Sequence, residues 1–438
     1  MWKRAITIIT LAGALFLAAC GGEGAETGKQ DTDTAGPLES GAESGTDTLA
    51  EISEESEPEE LTGELTILAW LPVNTWQYVI EDFMKEYPGV TVKVEMLGEG
   101  QPVTEELMEK YTTRIMAGEG FDIVESELVN MEKCAGQEVF ADLYELMDAD
   151  GDFSREDYFS CIFEVAEVDG KLPAFIYNVK PVYIHLNKKL LESAGLEYTK
   201  DTISFTELYE LYEKVRESAG ERILLTDMGY GYEGMSDYEN GYFIRNNLMD
   251  SEEYEEYLKM RHELYYLPEK RPDWHDGTMK IGDDVLCCLS NLRLPGDHAD
   301  EMFEGTEGMT GAILYESMHG ERYPVSAGTL SISSFSENKE LAWEFIKYAF
   351  SDRDTSRNYS SMISPNKGKA EKVCEGIAPE NKEKLFRDIE AINAFKFTDS
   401  NLYNNLESVY EDYFVNNTIT AEECCKELAS RVYLYMNE

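Results

Sequence analysis

The chain has 438 residues and carries 87 acidic against 38 basic side chains, for a formal net charge of −49 at pH 7. This length exceeds one ordinary core of roughly 100–200 residues, so we expect two lobes or domains. A surface this acidic lacks the basic footprint that a phosphate polymer requires, which argues against nucleic-acid binding. Apolar residues make up 42% of the sequence, which is enough to bury sizeable cores.

The first twenty residues have the pattern of an export signal. Lys3 and Arg4 precede an apolar stretch over residues 5–19. That stretch is shorter than the roughly 20 residues of a membrane-spanning helix and is typical of a secretory signal. It ends in Leu17-Ala18-Ala19-Cys20, which resembles the lipobox of bacterial lipoproteins. The resemblance implies cleavage before Cys20 and lipidation of its thiol, which would anchor the protein to a membrane. The alternative is an ordinary signal peptide with a chance cysteine.

The segment that follows Cys20 is acidic and poor in apolar side chains. Residues 21–62 are rich in Glu, Asp, Gly, Ser and Thr. Such a composition cannot bury enough apolar surface to offset the entropy lost on ordering. We therefore expect a signal peptide over 1–19 and a lipidated, disordered acidic linker over 20–62.

The cysteines favour free thiols over a disulfide framework. The chain has eight cysteines, and lipidation of Cys20 would leave an odd number in an exported protein. An odd number leaves at least one thiol unpaired within the chain. No Cys-x-x-Cys spacing occurs, so zinc-finger and thioredoxin sites have no support. Buried free thiols are the favoured interpretation.

The folded part begins with alternating strands and helices. Residues 65–70 form a short apolar run typical of a buried strand, and residues 76–87 carry apolar side chains at helical spacing. Residues 90–96 alternate as in a strand, 107–115 form a second helical stripe, and 121–124 form a third strand. This order predicts a parallel α/β sheet, which binds ligands beyond the carboxyl ends of its strands.

Five segments of the body occur in an order shared with one known family. They are Leu65–Trp70 with Phe83–Val90, Asp169–Pro173, His185–Leu191 with Ala194–Leu196, Phe205–Leu208, and Ser333–Phe350. Together they resemble family 1 of the extracellular solute-binding proteins of ABC importers, the group that includes maltose-binding protein. The sequence departs from the family at His185 and Leu186, where Tyr is commoner, and at Phe205, where Trp is usual.

The resemblance implies an α/β fold with two lobes of the type II periplasmic-binding-protein kind. Two or three crossing strands would hinge the lobes, with a ligand cleft between them. We expect crossings near Leu172–Tyr183 and Gly308–Leu314. The expected boundaries are 63–175 plus 312–358 for lobe 1, and 176–311 plus 359–438 for lobe 2.

The expected cleft chemistry is binding. Aromatic rings cover the apolar faces of a sugar, while carboxylates and amides bind its hydroxyls. Trp70 ends the first strand, and Glu125 and Ser126 follow the third. Tyr177 lies at the first crossing, and the remaining candidates align loosely with sugar-contacting loops of the family. The ligand-binding candidates are Trp70, Glu125, Ser126, Tyr177, Tyr242, Asn291 and Tyr403, with Trp274 as a further, weaker one. The alternative for any tyrosine is packing, since the chain has 27 of them.

Other kinds of site have little support in the sequence. Asp148, Asp150 and Asp152 suggest a calcium loop, but Phe153 and Phe159 stand where an EF-hand needs Gly and Glu. A turn with a helix cap explains these aspartates. The five histidines lack paired zinc-binding spacing, and no Gly-x-Ser-x-Gly motif occurs. The sequence does not exclude a pair of carboxylates that cleaves glycosidic bonds, because so acidic a chain contains many carboxylates. We expect no metal, no cofactor and no catalytic residue.

The sequence therefore predicts a lipid-anchored receptor on the extracellular face of a bacterial cell membrane. It would act as a monomer that captures a small solute by cleft closure and delivers it to an ABC permease. By analogy with the family, the solute is a carbohydrate. The alternatives are an exported glycan-acting enzyme and a scaffold lipoprotein on the same fold.

Overall fold

The computed structural model describes most of the body of the chain, and the predicted signal peptide, Cys20 and nearly all of the linker lie outside this part. The described residues are 61–69, 76–96, 105–126, 129–219, 224–226, 236–264, 285–290, 299–324, 328–351, 363–395 and 400–437. They contain two five-stranded sheets.

The first sheet has the strand order β2-β1-β3-β10-β4. Strands β1, β2 and β3 run parallel to one another, and β10 runs antiparallel to both of its neighbours, β3 and β4. The strand bounds are Thr62–Ala69 (β1), Gly89–Met96 (β2), Ile123–Glu125 (β3), Phe175–Ile176 (β4) and Thr329–Ile332 (β10).

The second sheet has the strand order β6-β9-β5-β8-β7. Strand β5 runs antiparallel to β8 and β9, while β6 is parallel to β9 and β7 is parallel to β8. The strand bounds are Tyr183–Leu186 (β5), Thr202–Ser204 (β6), Leu224–Thr226 (β7), Val285–Ser290 (β8) and Ile313–Glu316 (β9).

Helices connect the strands and cover the sheets. In the first part of the chain they are Gln77–Glu86 (α1), Glu105–Ala117 (α2), Met131–Gly136 (α3), Leu143–Ala149 (α4), Cys161–Glu164 (α5), Lys188–Ser193 (α6), Phe205–Ala219 (α7), Ser236–Arg245 (α8) and Glu252–Leu264 (α9). They continue as Ala299–Glu304 (α10), Lys339–Phe350 (α11), Lys367–Val373 (α12), Pro379–Glu390 (α13), Ser400–Tyr410 (α14) and Ala421–Asn437 (α15). A π-helical turn, Glu411–Val415, follows α14 directly.

Local sequence pattern explains the first elements. In α1 the buried side chains are Val79, Ile80 and Phe83, which the 3.6-residue period places on one helix face. The backbone N–H of Tyr87 donates to the Phe83 carbonyl at 2.8 Å, which closes the last turn before Gly89 starts β2. The predicted succession of strand, helix, strand, helix and strand is present as β1, α1, β2, α2 and β3, and the α/β fold class is confirmed.

Apolar cores cover both sheets, and the largest one extends from the first sheet to Tyr183 and Leu314 of the second. Leu65 and Ile67 of β1 pack with α1 and α11, while Leu68, on the opposite face of the same strand, packs with α2. Around the second sheet, the core joins Ile184 and Ile203 with side chains of α7, α9, α14 and α15, among them Leu428. Burial on both faces explains the fully buried strands β5 and β10, whose residues are all enclosed by the fold.

Two segments connect the sheets and touch each other between them. The first runs from the end of β4 to the start of β5, and the second leaves β9 toward β10. Pro181 of the first segment and Pro324 of the second form an isolated antiparallel bridge. The second segment starts after Glu316, later than the expected Gly308–Leu314, because residues 313–316 pair with β5 and β6 in the second sheet.

Helix α13 bonds to elements of the second sheet. Tyr183 of β5 donates its hydroxyl to Asp388 at 2.8 Å, and Asn381 donates to Asp300 of α10 at 2.7 Å. Helix α12 bonds to α11 of the first lobe, since the Lys369 side chain donates to the Ala349 carbonyl at 3.1 Å. Helix α13 also contacts the first lobe, since the backbone N–H of Ser160 donates to Glu390 at 3.0 Å, and the predicted lobe boundaries stay a prediction.

The cysteines of the described part are buried and not disulfide-bonded, as predicted: Cys134, Cys161, Cys287, Cys288, Cys374, Cys424 and Cys425. Burial raises the pKa of the Cys161 and Cys424 thiols to about 12, which keeps both protonated and unreactive at neutral pH. None of the helices in the described part has the length and apolarity needed to cross a bilayer.

Candidate functional site

The topology turns one edge of each sheet toward the connecting segments. In the first sheet, β1 to β4 share one direction, and in the second, β6 to β9 share one direction. The first connection leaves the carboxyl end of β4, and the second leaves the carboxyl end of β9. Both sheets therefore present their carboxyl edges, where ligands of α/β sheets bind, to the region between the lobes.

At the edge of the first sheet, Glu125 ends β3 and its side chain is fully buried. The indole Nε1 of Trp76, next to the start of α1, donates to its Oε1 at 2.6 Å. Tyr111 of α2 donates its hydroxyl to the Glu125 carbonyl at 2.9 Å. The predicted ligand carboxylate is therefore held within the fold, and it ties α1 to β3 at the edge of the cleft.

Ser126, the next predicted residue, belongs to a buried cluster of hydroxyls. Ser331 donates to the Ser126 Oγ at 2.7 Å, and Ser126 donates to Thr329 Oγ1 at 3.1 Å. All three side chains are fully buried. The cluster links the end of β3 to β10, beside the second connection.

Tyr177 directly follows β4 and is buried against other aromatic rings. Its ring stacks on Phe350 with centroids 5.2 Å apart and meets Trp76 edge-on at 5.6 Å. Gly328, on the opposing connection, lies so close that a Cβ there would come within 1.9 Å of the Tyr177 ring. Tyr177 is in the predicted place, at the first connection, and here it packs the two connections together.

The second sheet contributes tyrosines that sequence reasoning did not single out. Tyr238, in the first turn of α8, is partly exposed and lies 6.0 Å from Tyr315 and 5.5 Å from Tyr323 by ring centroids. The Tyr323 hydroxyl accepts from Arg245 at 2.9 Å, and burial raises its pKa. An aromatic residue in the first turn of a helix that follows a strand is the signal that could have identified Tyr238.

The remaining predicted tyrosines lie in different places. Tyr242 is half-buried and stacks on His319 with centroids 3.5 Å apart, and His319 pairs with Glu253 of α9 at 3.0 Å. Tyr403 is half-buried on α14, a helix of the second core that contacts α2 of the first lobe. Tyr403 therefore lies on a helix at the junction of the lobes.

Three predicted residues, Trp70, Asn291 and Cys20, lie outside the described residues, as does Trp274.

The aspartates considered for calcium have other partners. The Asp150 carboxylate accepts from Lys347 at 2.7 Å and from the Trp343 indole at 3.0 Å. Burial opposes ionisation of Asp150, but these donors outweigh it and lower its pKa. In the described part, no group of three or more His, Cys, Asp or Glu side chains could hold a metal ion.

A separate groove of about 530 Å³ lies between α12 and α13, away from the two carboxyl edges. The rings of Phe159 and Phe386 meet edge-on at 5.3 Å along it. Two of its lysines, Lys367 and Lys382, already pair with glutamates that also line it. Both lysines of the groove therefore already have charged partners within the protein.

These features define a class of protein: a two-lobe α/β binding protein whose lobes are joined by crossing segments. More particularly, residues 69–272 match the family of bacterial extracellular solute-binding proteins. The predicted resemblance to extracellular solute-binding proteins of ABC transporters is thereby confirmed. No functionally curated protein matches the chain.

Solved structures share the fold over most of their length. MalE from Xanthomonas citri, a sugar-binding protein, has 14% identity and a TM-score of 0.58, covering 86% of this chain and 100% of its own. Lmo0181 from Listeria monocytogenes, in complex with cycloalternan, has 16% identity and a TM-score of 0.55 over 86% and 99%. Maltose-bound MalE3 of T. maritima has 18% identity and a TM-score of 0.53 over 85% and 99%. At these identities the likeness shows the two-lobe fold.

Proposed function

We propose that the protein is the membrane-anchored receptor of an ABC importer, and that it captures a carbohydrate between its lobes for delivery to a permease. The observation that carries the proposal is the placement of partly exposed tyrosines of the second lobe beside the second connection and facing the first lobe. Tyr238 of α8 is accessible beside the second connection, and Tyr403 lies on the helix that meets the first lobe. Structures of the same fold hold cycloalternan and maltose, which supports a carbohydrate as solute.

Binding by lobe closure follows from this arrangement. A solute that contacts both carboxyl edges is bound fully only when the lobes are shut, so its binding energy favours the closed state. A permease can then distinguish loaded from empty receptor by shape. Flat tyrosine rings suit the apolar faces of sugar rings, and each contact adds about 0.5–1.5 kcal/mol beyond area burial.

A thermal-shift screen of the purified protein tests this function. The panel contains mono- and oligosaccharides, amino acids, peptides and polyamines, and a ligand that binds only the folded state raises the melting temperature. We expect a shift with one class of sugar. A shift with peptides or polyamines would support a receptor function but reject a carbohydrate as the solute. Turnover of the sugar would instead support a glycan-acting enzyme, and no shift across the panel would support a scaffold.

Matched tyrosine variants test the site. Tyr238→Ala and Tyr403→Ala are each expected to weaken binding of the identified sugar about two- to tenfold, the loss of one aromatic contact. Tyr433→Ala is the control, because Tyr433 is 61% exposed on α15. Equal affinities for all three variants would place the solute elsewhere.

Membrane anchoring rests on Cys20 and has its own test. We expect the protein expressed in a bacterial host to fractionate with membranes, and Cys20→Ala to release it into the soluble extracellular fraction. Acyl-chain labelling of the wild type but not of Cys20→Ala would identify the thiol as the attachment point. Membrane association unchanged by Cys20→Ala would reject lipidation there.

A further inference from the structure

Glu239 of α8 is a fully buried carboxylic acid in the second lobe. The Tyr315 hydroxyl donates to its Oε1 at 2.8 Å, and the backbone N–H of Met318 donates to its Oε2 at 3.0 Å. Tyr315 belongs to β9, whereas Met318 lies in the segment that leaves β9 for the first lobe. One carboxyl group thus joins a helix, a strand and the second connection between the lobes.

The segment that Glu239 holds is a compact turn. Ser317 donates its backbone N–H to the Glu321 carbonyl at 2.8 Å, and Gly320 donates to the Ser317 carbonyl at 3.0 Å. One residue further, the Arg322 N–H donates to the Asn393 side chain at 2.7 Å. Because the turn is bonded within itself, the hold on Met318 positions the whole start of the second connection.

Charged and titratable groups of α9, β9 and the turn act on Glu239. Burial is the main influence and raises its pKa to about 7, while the Met318 N–H and the Tyr315 hydroxyl oppose the rise. Glu321 of the turn raises the pKa further, and Arg261 of α9 lowers it. Tyr257 of α9 also interacts with Glu239 electrostatically. Two nearby cationic or titratable groups have other partners: Arg245 of α8 pairs with Glu321 at 2.5 Å, and His319 of the turn pairs with Glu253 at 3.0 Å.

We propose that Glu239 is a proton-sensitive positioning residue for the second connection, whose carboxylate fixes Met318 and whose protonation loosens that hold and alters lobe closure. The ionised group accepts both hydrogen bonds with charge assistance, which makes them roughly twice as strong as neutral ones. A protonated carboxyl group is a weaker hydrogen-bond acceptor than a carboxylate. Its own O–H also needs an acceptor within the buried site. The regulatory part of the proposal rests on the proposed function, since it acts on lobe closure.

Amide hydrogen exchange of Met318 tests the hold without any solute. The purified protein is measured between about pH 5.5 and 8.5, and rates are corrected for the pH dependence of intrinsic exchange. We expect protection of the Met318 amide to fall roughly fivefold on acidification, with a midpoint near 7. Glu239→Gln should remove the pH dependence, because its amide does not titrate in this range. Since no sugar is added, failure of the proposed function leaves this result unaffected.

Two further variants separate Glu239 from its neighbours. Tyr315→Phe removes a donor to the carboxylate and should move the midpoint to higher pH, because the charged form loses support. His319→Asn should leave the midpoint unchanged. A pH dependence that persists in Glu239→Gln, or that disappears in His319→Asn, would assign the titration to another group and overturn the proposal.

Small-angle X-ray scattering tests the effect on the lobes. We expect the radius of gyration of the solute-free wild type to change over the same pH range as the exchange, and that of Glu239→Gln to stay constant. A local change in exchange with an unchanged radius in the wild type would overturn the regulatory part.

Discussion

The stability of this protein should depend on pH through Glu239, and replacement by glutamine should remove that dependence. Folding raises the pKa of Glu239 from 4.5 to about 7, chiefly because burial penalises the charged form. A tenfold change in proton affinity corresponds to about 1.4 kcal/mol. Ionised Glu239 therefore lowers the free energy of unfolding by roughly 3 kcal/mol relative to the protonated form.

The direction follows from the two pKa values. Below pH 4.5 the side chain is protonated in both the folded and the unfolded state, and its full contribution to stability is present. As pH rises toward 7 the unfolded chain loses this proton while the folded protein keeps it, so the contribution declines. Above about 7 the folded protein holds a buried carboxylate, and the contribution is gone.

Urea unfolding monitored by fluorescence at about pH 5.5 and 8.5 measures this effect. Between the two pH values, the wild type should lose about 1–2 kcal/mol more of its free energy of unfolding than Glu239→Gln, since part of the titration lies below pH 5.5. Glu217→Gln, on the exposed face of α7, is the matched control and should run parallel to the wild type. Parallel curves for the wild type and Glu239→Gln would refute the reasoning.

Two further substitutions test the packing near the first connection, and a third tests an exposed ion pair. Trp76→Phe removes the indole donor to buried Glu125 and should cost about 1–3 kcal/mol of unfolding free energy, seen as a lower urea midpoint. Gly328→Ala places a Cβ within 1.9 Å of the Tyr177 ring and should destabilise by about 1–3 kcal/mol, with a near-ultraviolet circular dichroism change; a wild-type spectrum and midpoint would contradict the close approach. Lys93→Ala breaks only an exposed pair with Glu64 and should change the unfolding free energy by less than about 1 kcal/mol, so a larger loss would mean that surface pairs contribute more than assumed.

The local sequence predicts where the candidate site residues lie, but not which side chains they contact. Glu125 is predicted because it follows the third strand, and Tyr177 because it lies at the first crossing. The structure places both at carboxyl ends of strands near the connections. Their side chains nevertheless contact Phe350 and Trp76, which come from other elements of the fold. No local pattern indicates such partners, because they become neighbours only when the sheet and its helices pack.

Tyr238 and Glu239 are residues that the sequence analysis did not identify. Both lie in an unremarkable stretch of polar and aromatic residues at the start of α8. Tyr238 becomes a candidate binding residue because β9 and the second connection bring Tyr315 and Tyr323 beside it. Glu239 is one of 87 acidic residues, and only burial against β9 distinguishes it from the solvated ones.

The α/β class, the order of the first strands and helices and the family resemblance can all be predicted from the amino-acid sequence. They follow from hydrophobic periodicity and short motifs, which reflect which face of each element is buried. Which side chains contact one another depends instead on how the elements pack. The antiparallel entry of β10 beside β3 and the contact between Pro181 and Pro324 join residues far apart in the chain. Their pairing depends on packing of the whole fold, and so no local pattern could indicate it.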